Sequence, residues 1–193
     1  MGQRSQIYVR CQKDGINYLT ARYYQWNYGE RMISRCKHSL EWIKERLQYD
    51  WYLTTSTGHL KRILDVNFDM QDVVIGVDII NEYHSNKWLK EDNIAFNQYV
   101  FEYQDNNDGK LLIDIKDDVI KYAFLDYDCK TIMDAEQYMN WDYDGWLMGE
   151  GLDLEEKLLC VKNMQAIAEL AQLMTQEEVD DFLHCDYIAA KEM

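Results

Sequence analysis

The sequence predicts an α+β fold, with an antiparallel β-sheet (an N-terminal hairpin plus a central β-meander) packed against a long N-terminal helix and C-terminal helices. Three observations carry this. The first and middle parts alternate apolar and polar residues between turn clusters of Gly, Asn and Asp. Two long stretches, one after Gly29 and one in the last third, carry apolar stripes at spacings of three and four. Capping signatures precede the C-terminal stripes. At 193 residues the chain fits one domain, 1–193, and 47% hydrophobic residues argue for a packed core rather than disorder.

Taken in order, "SQIYVRCQKDGINYLTARYYQWN" reads as a hairpin around Asp14-Gly15, in a loop somewhat longer than a tight two-residue turn. Alternation puts Ile7, Val9 and Cys11 on one face, shared with Leu19, Ala21 and Tyr23. The other face then carries Tyr8, Arg10, Tyr18, Arg22, Tyr24 and Trp26. Such a face suits stacked bases, and equally suits a covering helix with Arg stems reaching to water. A helix of about 20 residues follows Gly29, its stripe being Met32, Cys36, Leu40, Ile43 and Leu47. Its adjoining face, Arg31, Arg35, His38, Trp42, Arg46 and Tyr49, is expected to reach solvent for the most part.

"TTSTGHLKRILDV" supplies capping residues and a short helix, "DVVIGVDII" a buried strand, and "NKWLKED" a short helical turn. "AFNQYVFEYQ", the turn "DNNDGK", "LLIDIKD" and "VIKYAFLD" then read as three antiparallel strands. Helix returns at Thr131–Asp134. Asp153 with Glu156 and Thr175 with Glu178 cap the last two helices, the former with a stripe of Cys160, Met164, Ile167, Ala171 and Met174. There is no proline, so Gly, Asn and Asp must make the turns.

No catalytic signature survives inspection. "YAFLDYDCKT" approaches the DxDx[TV] phosphatase opening, but Lys130 stands where Thr or Val belongs. "DNNDGK" fails as a calcium loop, because Gly109 in sixth place puts Gln104 first and Ile115 twelfth. Cys11, Cys36, Cys129, Cys160 and Cys185 have neither disulfide-framework nor zinc spacing, and His184-Cys185 reads as the half-buried end of the last helix. No cofactor or resident metal is indicated. No run approaches the roughly 18 apolar residues of a membrane span, and the N-terminus lacks a signal-peptide core. Gln6 also stands where a myristoylation motif wants Ser or Thr. The expectation is a cytoplasmic protein with no membrane contact.

Charge is divided unevenly. Residues 1–64 carry a net +6 and include all seven arginines, whereas residues 65–193 carry −21. This division fits two binding surfaces of opposite sign, or a basic lobe docked on an acidic one. The partner-binding candidates on the basic side are Arg22, Tyr24, Trp26, Arg31, Arg35, Trp42 and Arg46. On the acidic side they are Asp105, Asp108, Asp114, Asp117, Asp118, Asp126, Asp128, Asp142 and Asp144. Carboxylates spaced along a rigid fold imitate a phosphate backbone and compete for a basic channel. The six Trp and 15 Tyr would serve a homodimer interface as well as a core.

"MGQRSQIYVR" and "ARYYQWNYGERMISR" resemble a family of small proteins carried by phages and mobile elements of low-GC Gram-positive bacteria, over roughly the first 50 residues. In size and acidic character the chain is similar to type II-A anti-CRISPR proteins, inhibitors of Cas9. The resemblance implies a bacterial host cell and an inhibitor of Cas9 or its guide-RNA complex, and carries over no catalytic residues. In that reading the basic N-terminal strip contacts guide RNA or braces the acidic lobe. The alternatives are a metal-dependent nuclease acting on RNA, with metal on some Asp pair, and a non-catalytic nucleic-acid-binding module.

Overall fold

Arg4–Lys13 (β1) and Ile16–Gln25 (β2) form the first hairpin in the computed structural model, which describes residues 3–47, 62–65, 69, 75–105, 108–143 and 145–188. The connection is shorter than the sequence predicts. Lys13 faces Ile16, so Asp14 and Gly15 alone make the turn, with φ of 51° and 75°. Two positive φ values are what a type I′ hairpin turn requires. This detail reverses the predicted pairing of faces. Ile7, Val9 and Cys11 stand opposite Arg22, Thr20 and Tyr18, while Tyr8 and Arg10 stand opposite Ala21 and Leu19. Because side chains alternate with period two, a one-residue change in the loop moves one strand's whole inward set to the other face.

After β2, Gly29 adopts φ 52° and opens α1, Glu30–Arg46. A Cβ at Gly29 would come within 2.5 Å of the Met148 carbonyl oxygen, so this close approach requires glycine. The stripe Met32, Cys36, Leu40 and Ile43 is buried as predicted. A 3₁₀ turn follows at Arg62–Asp65, within a segment whose remaining predicted capping residues lie outside the described residues. The predicted strand "DVVIGVDII" reduces to β3, Ile75–Asp78, with Val77 exposed and its first three residues outside the described set. Asp78 ends it by accepting the Asn81 amide at 3.0 Å and capping α2, Ile79–Ser85; Lys87–Glu91 is α3.

"AFNQYVFEYQ" is not a strand. Gln98–Glu102 makes a wide helical turn, with Phe96, Tyr99 and Val100 buried at the i, i+3, i+4 spacing of a helix face. The central meander therefore loses its first member. Lys110–Lys116 (β4) and Val119–Leu125 (β5) do pair antiparallel, through Asp117 and Asp118 at φ 49° and 64°. Ile132–Met133 (β6), Ala135–Met139 (α4), a separate small hairpin of Asp142–Tyr143 (β7) and Trp146–Leu147 (β8), Leu154–Leu170 (α5), Gln172–Leu173 (β9) and Gln176–His184 (α6) complete the order. Capping boxes at Asp134/Gln137, Asp153/Glu156 and Thr175/Glu178 start α4, α5 and α6. The last helix ends at His184, with Cys185 half-buried beyond it, as predicted.

The main sheet runs β3-β2-β1-β4-β5-β6, with β9 also on β5. It is mostly antiparallel, but β1 and β4 are parallel, Tyr8 beside Leu112. The long connection from β2 to β4 permits this, since a parallel pair needs a crossover rather than a turn. Helices cover both faces. Ile7, Val9, Leu111, Ile113 and Phe124 pack with residues of α1, α4 and α5. Tyr8, Leu19, Ala21, Leu112 and Ala123 pack with residues of α2, α3 and α6. Met174, predicted to continue the α5 stripe, belongs to the second set, because the chain leaves α5 at Ala171 and crosses the sheet through β9. The basic first third and the acidic remainder share one sheet, as β1 lies between β2 and β4.

One buried ion pair ties these parts together. Arg10 Nε and Nη2 each donate to an Asp114 carboxylate oxygen at 2.8 Å, and Nη1 donates to Asp181 of α6 at 2.7 Å. The guanidinium lies 4.8 Å from the centre of the Phe182 ring. Burial by itself would lower the Arg10 pKa, but the bonds and charge of Asp114, with Asp181, outweigh it and drive the value up. Removing one partner leaves a buried charge uncompensated. D114A is expected to cost about 3–5 kcal/mol, read as a lower urea midpoint at unchanged slope, while the paired change R10M/D114L costs less.

Candidate partner-binding surface

The basic strip turns largely inward. Tyr24 and Arg35 are buried; Arg22, Arg31, Trp42 and Arg46 are half-buried; only Trp26 is exposed. Three of these converge on one acceptor, the carbonyl of Leu64. Tyr24 Oη donates to it at 2.9 Å, and Arg22 Nη1 and Arg35 Nη1 at 3.4 Å. Arg35 also donates to the buried Asn27 side chain at 3.3 Å and lies 4.7 Å from the Tyr24 ring centre. Arg31 donates to the Trp26 carbonyl at 3.0 Å, and Arg46 lies 4.0 Å from the Trp42 ring centre. The predicted solvent-facing cationic helix face is corrected accordingly, and its last member, Tyr49, lies outside the described residues. Ser34 and His38 of α1 bind Asp69, whose carboxyl stays below its ordinary value although burial opposes this, because Asn163, His38 and Ser34 hydrogen-bond it.

The aspartates separate into two groups. Asp114 and Asp108 are buried, so neither belongs to an exposed surface, contrary to the sequence expectation. Asp108 accepts the Arg4 backbone amide at 2.5 Å; burial pushes its carboxyl up to about 6, against the lowering effect of Arg4. Asp105 is exposed and pairs with Arg4 at 2.7 Å. Asp117 and Asp118 form the exposed β4–β5 turn. Asp126 accepts the Lys130 amide at 2.7 Å and Asp128 pairs with the Lys130 ammonium at 2.6 Å. Asp142 accepts the Gly145 amide at 2.7 Å, and Asp144 lies outside the described residues.

α6 shares a cavity with Asp128 and another with Asp117. Asp180, Asp128 and Glu102 line an open cavity of about 740 Å³, with Lys110, Cys129 and Lys130. Glu178 and Asp117 line a smaller one of about 330 Å³, where Glu178 pairs with Lys121. Glu177, Asp180 and Asp181 are exposed along the same helix. The sequence reading used this segment only for its cap and missed the surface. The available signal was four carboxylates within the nine residues of α6. The first two, in the first turn, also complement the macrodipole.

In the larger cavity, Lys110 Nζ donates to the Tyr127 carbonyl at 2.8 Å and to Cys129 Sγ at 3.0 Å. Among the described residues no group of three or more His, Cys, Asp or Glu side chains is placed to hold a metal ion, and no helix is long and apolar enough to cross a membrane. Comparison with protein-family models, curated proteins and solved structures returns no match to this chain.

Two outcomes follow from this arrangement. R35A is expected to lower stability by about 1–3 kcal/mol, because the Asn27 side chain loses a buried partner, whereas R46A costs less than about 1 kcal/mol; thermal melts at one pH separate them. Because the folded-state pKa of Asp108 is raised, its contribution is fully present below the unfolded value of about 3.9 and is lost as pH rises through about 6. Wild type should therefore lose stability relative to D108N between those limits, measured as urea midpoints across that range.

Proposed function

We propose that this protein is a non-catalytic inhibitor that binds a nucleic-acid-handling protein through its acidic surface, with Cas9 as the partner to test first. The observation that carries the reading is a directional one. Arg10, Arg22 and Arg35 of the first third are engaged inward, on Asp114 and the Leu64 carbonyl, while Glu177, Asp180 and Asp181 of α6, Asp117 and Asp118 of the β4–β5 turn and Asp128 of the β5–β6 turn are exposed.

A rigid row of such carboxylates matches the requirement of a channel built for phosphates. Oriented encounter then comes from long-range attraction, and affinity falls as salt screens it within about 8 Å at physiological ionic strength. Inhibition follows from occupancy, since a channel holding the acidic surface has no room for guide or target strand. The resemblance of the first 50 or so residues to phage-borne proteins supports choosing Cas9. Within the basic strip, Trp26 is the residue exposed enough for RNA contact.

The test is a reconstituted type II-A Cas9 reaction with guide RNA and target DNA. Purified protein is added before or after guide loading, and both nucleic acids are followed on a denaturing gel. DNA cleavage should be blocked with the guide intact. The variant D117N/D118N/E177Q/D180N, whose asparagines tolerate the turn's positive φ, should weaken inhibition at least about tenfold. Unchanged cleavage at every protein concentration would overturn the Cas9 assignment. A shortened guide, absent from a control without this protein, would replace inhibition by nuclease action.

A further inference from the structure

We infer that α5 pairs with α5 of a second copy of this chain, antiparallel about a two-fold axis passing between Leu158 and Val161. One side of α5 is fixed in the core, with Cys160, Asn163 and Ile167 buried. The opposite side is apolar and uncovered. Leu154 is 75% exposed, Leu158 56% and Val161 45%. With Gln165 and Ala168, also exposed, these positions follow one another at spacings of four, three, four and three. That is the seam of a helix pair. Isolated exposed leucines need no explanation, but three large apolar side chains in a row over the first two turns of a helix do.

The charges beside the seam decide what covers it. Glu155, Lys162 and Glu169 occupy successive positions on one flank, and Lys157 lies on the other. In an antiparallel pair with Leu158 packed on Val161 of the second copy, same-flank positions of the two helices meet. Glu155 then faces the second copy's Lys162, and by symmetry Lys162 faces its Glu155. Sliding the pair one heptad in one direction sets Glu155 against Glu155. Sliding it the other way sets Lys162 against Lys162 and Glu155 against Glu169. A parallel pair brings opposite flanks together and sets Lys157 against Lys162. Of these arrangements one alone opposes unlike charges; a two-heptad slide sets Lys162 against Glu169 but overlaps only the last two turns of α5 and leaves Leu154 and Leu158 uncovered, so the sequence of α5 favours this orientation and register of its own copy.

A 17-residue helix is about 25 Å long. Its seam covers roughly half of the 800 Å² that each partner of a standard interface contributes. The resulting dimer is correspondingly weak, with a dissociation constant on the order of tens of micromolar. Its formation also has to overcome the mutual repulsion of two chains of net charge −15, which physiological salt screens.

Sedimentation equilibrium of the full chain at physiological salt, over a concentration series crossing that range, tests this. Wild type should show a monomer–dimer equilibrium. E155K and K162E should each weaken it about tenfold, since each places two like-charge contacts across the axis. The double variant E155K/K162E should restore it, and L158D should abolish it. All these positions are exposed, and unchanged far-UV circular dichroism checks that the variants fold. A chain monomeric throughout, a dimer indifferent to L158D, or single charge reversals that the double variant does not rescue would each overturn the inference.

Discussion

Arg10 stands at the junction where three separately folded parts of the chain must agree. Its backbone belongs to β1, its two strongest bonds go to Asp114 on the neighbouring parallel strand, and its third goes to Asp181 on α6. A buried guanidinium is tolerated only where its donors are met, since desolvation would otherwise cost several kcal/mol. The parallel register of β1 on β4 and the docking of α6 over the sheet therefore form together or not at all. Every other long-range feature rests on that arrangement, including the two-sided core and the position of the acidic helix.

The same pair resolves the charge division. A chain with all its arginines in the first third and an excess of carboxylates elsewhere presents a conflict if the two sets stay apart. In the folded chain, the Arg4 guanidinium meets Asp105, and Arg10 meets Asp114 and Asp181. Cations are used to close contacts between distant segments, and the carboxylates left over face water. An acidic exterior is thus a consequence of how the core was closed, and an interaction partner would encounter that exterior rather than the arginine-aromatic strip.

What could be read in advance was whatever local chemistry determines. The capping boxes at Asp153 and Thr175 and the stripe of α1 are set by residues three or four apart, and they form where the sequence places them. The Asp14-Gly15 turn was visible too, but its length was misjudged by the residue that decides which face Leu19, Ala21 and Tyr23 take. "AFNQYVFEYQ" misled because aromatic and β-branched content favours strands while its burial has helical spacing. The parallel β1–β4 contact leaves no local trace. Arg10 and Asp114 are 104 residues apart, and nothing near either one announces the other. The surface on α6 was hidden for a different reason, since each of its acids has an adequate local role in capping a helix.

The two faces of the sheet also separate the two surfaces described above. α5 packs on the side of Ile7 and Leu111, α6 on the side of Tyr8 and Leu112. Joining two copies through α5 leaves each α6 on the far side of its own sheet, so self-association and acidic binding do not compete for the same area. A dimer of this kind carries two acidic surfaces. Where a target offers two basic sites within their span, the second engagement becomes intramolecular, and overall affinity exceeds that of a single surface without any new contact. The weakness of the α5 seam then has a use. Under the proposed reading, the chain would act at low concentration as a monovalent ligand, and a target that holds two copies side by side would supply the proximity that completes the pair.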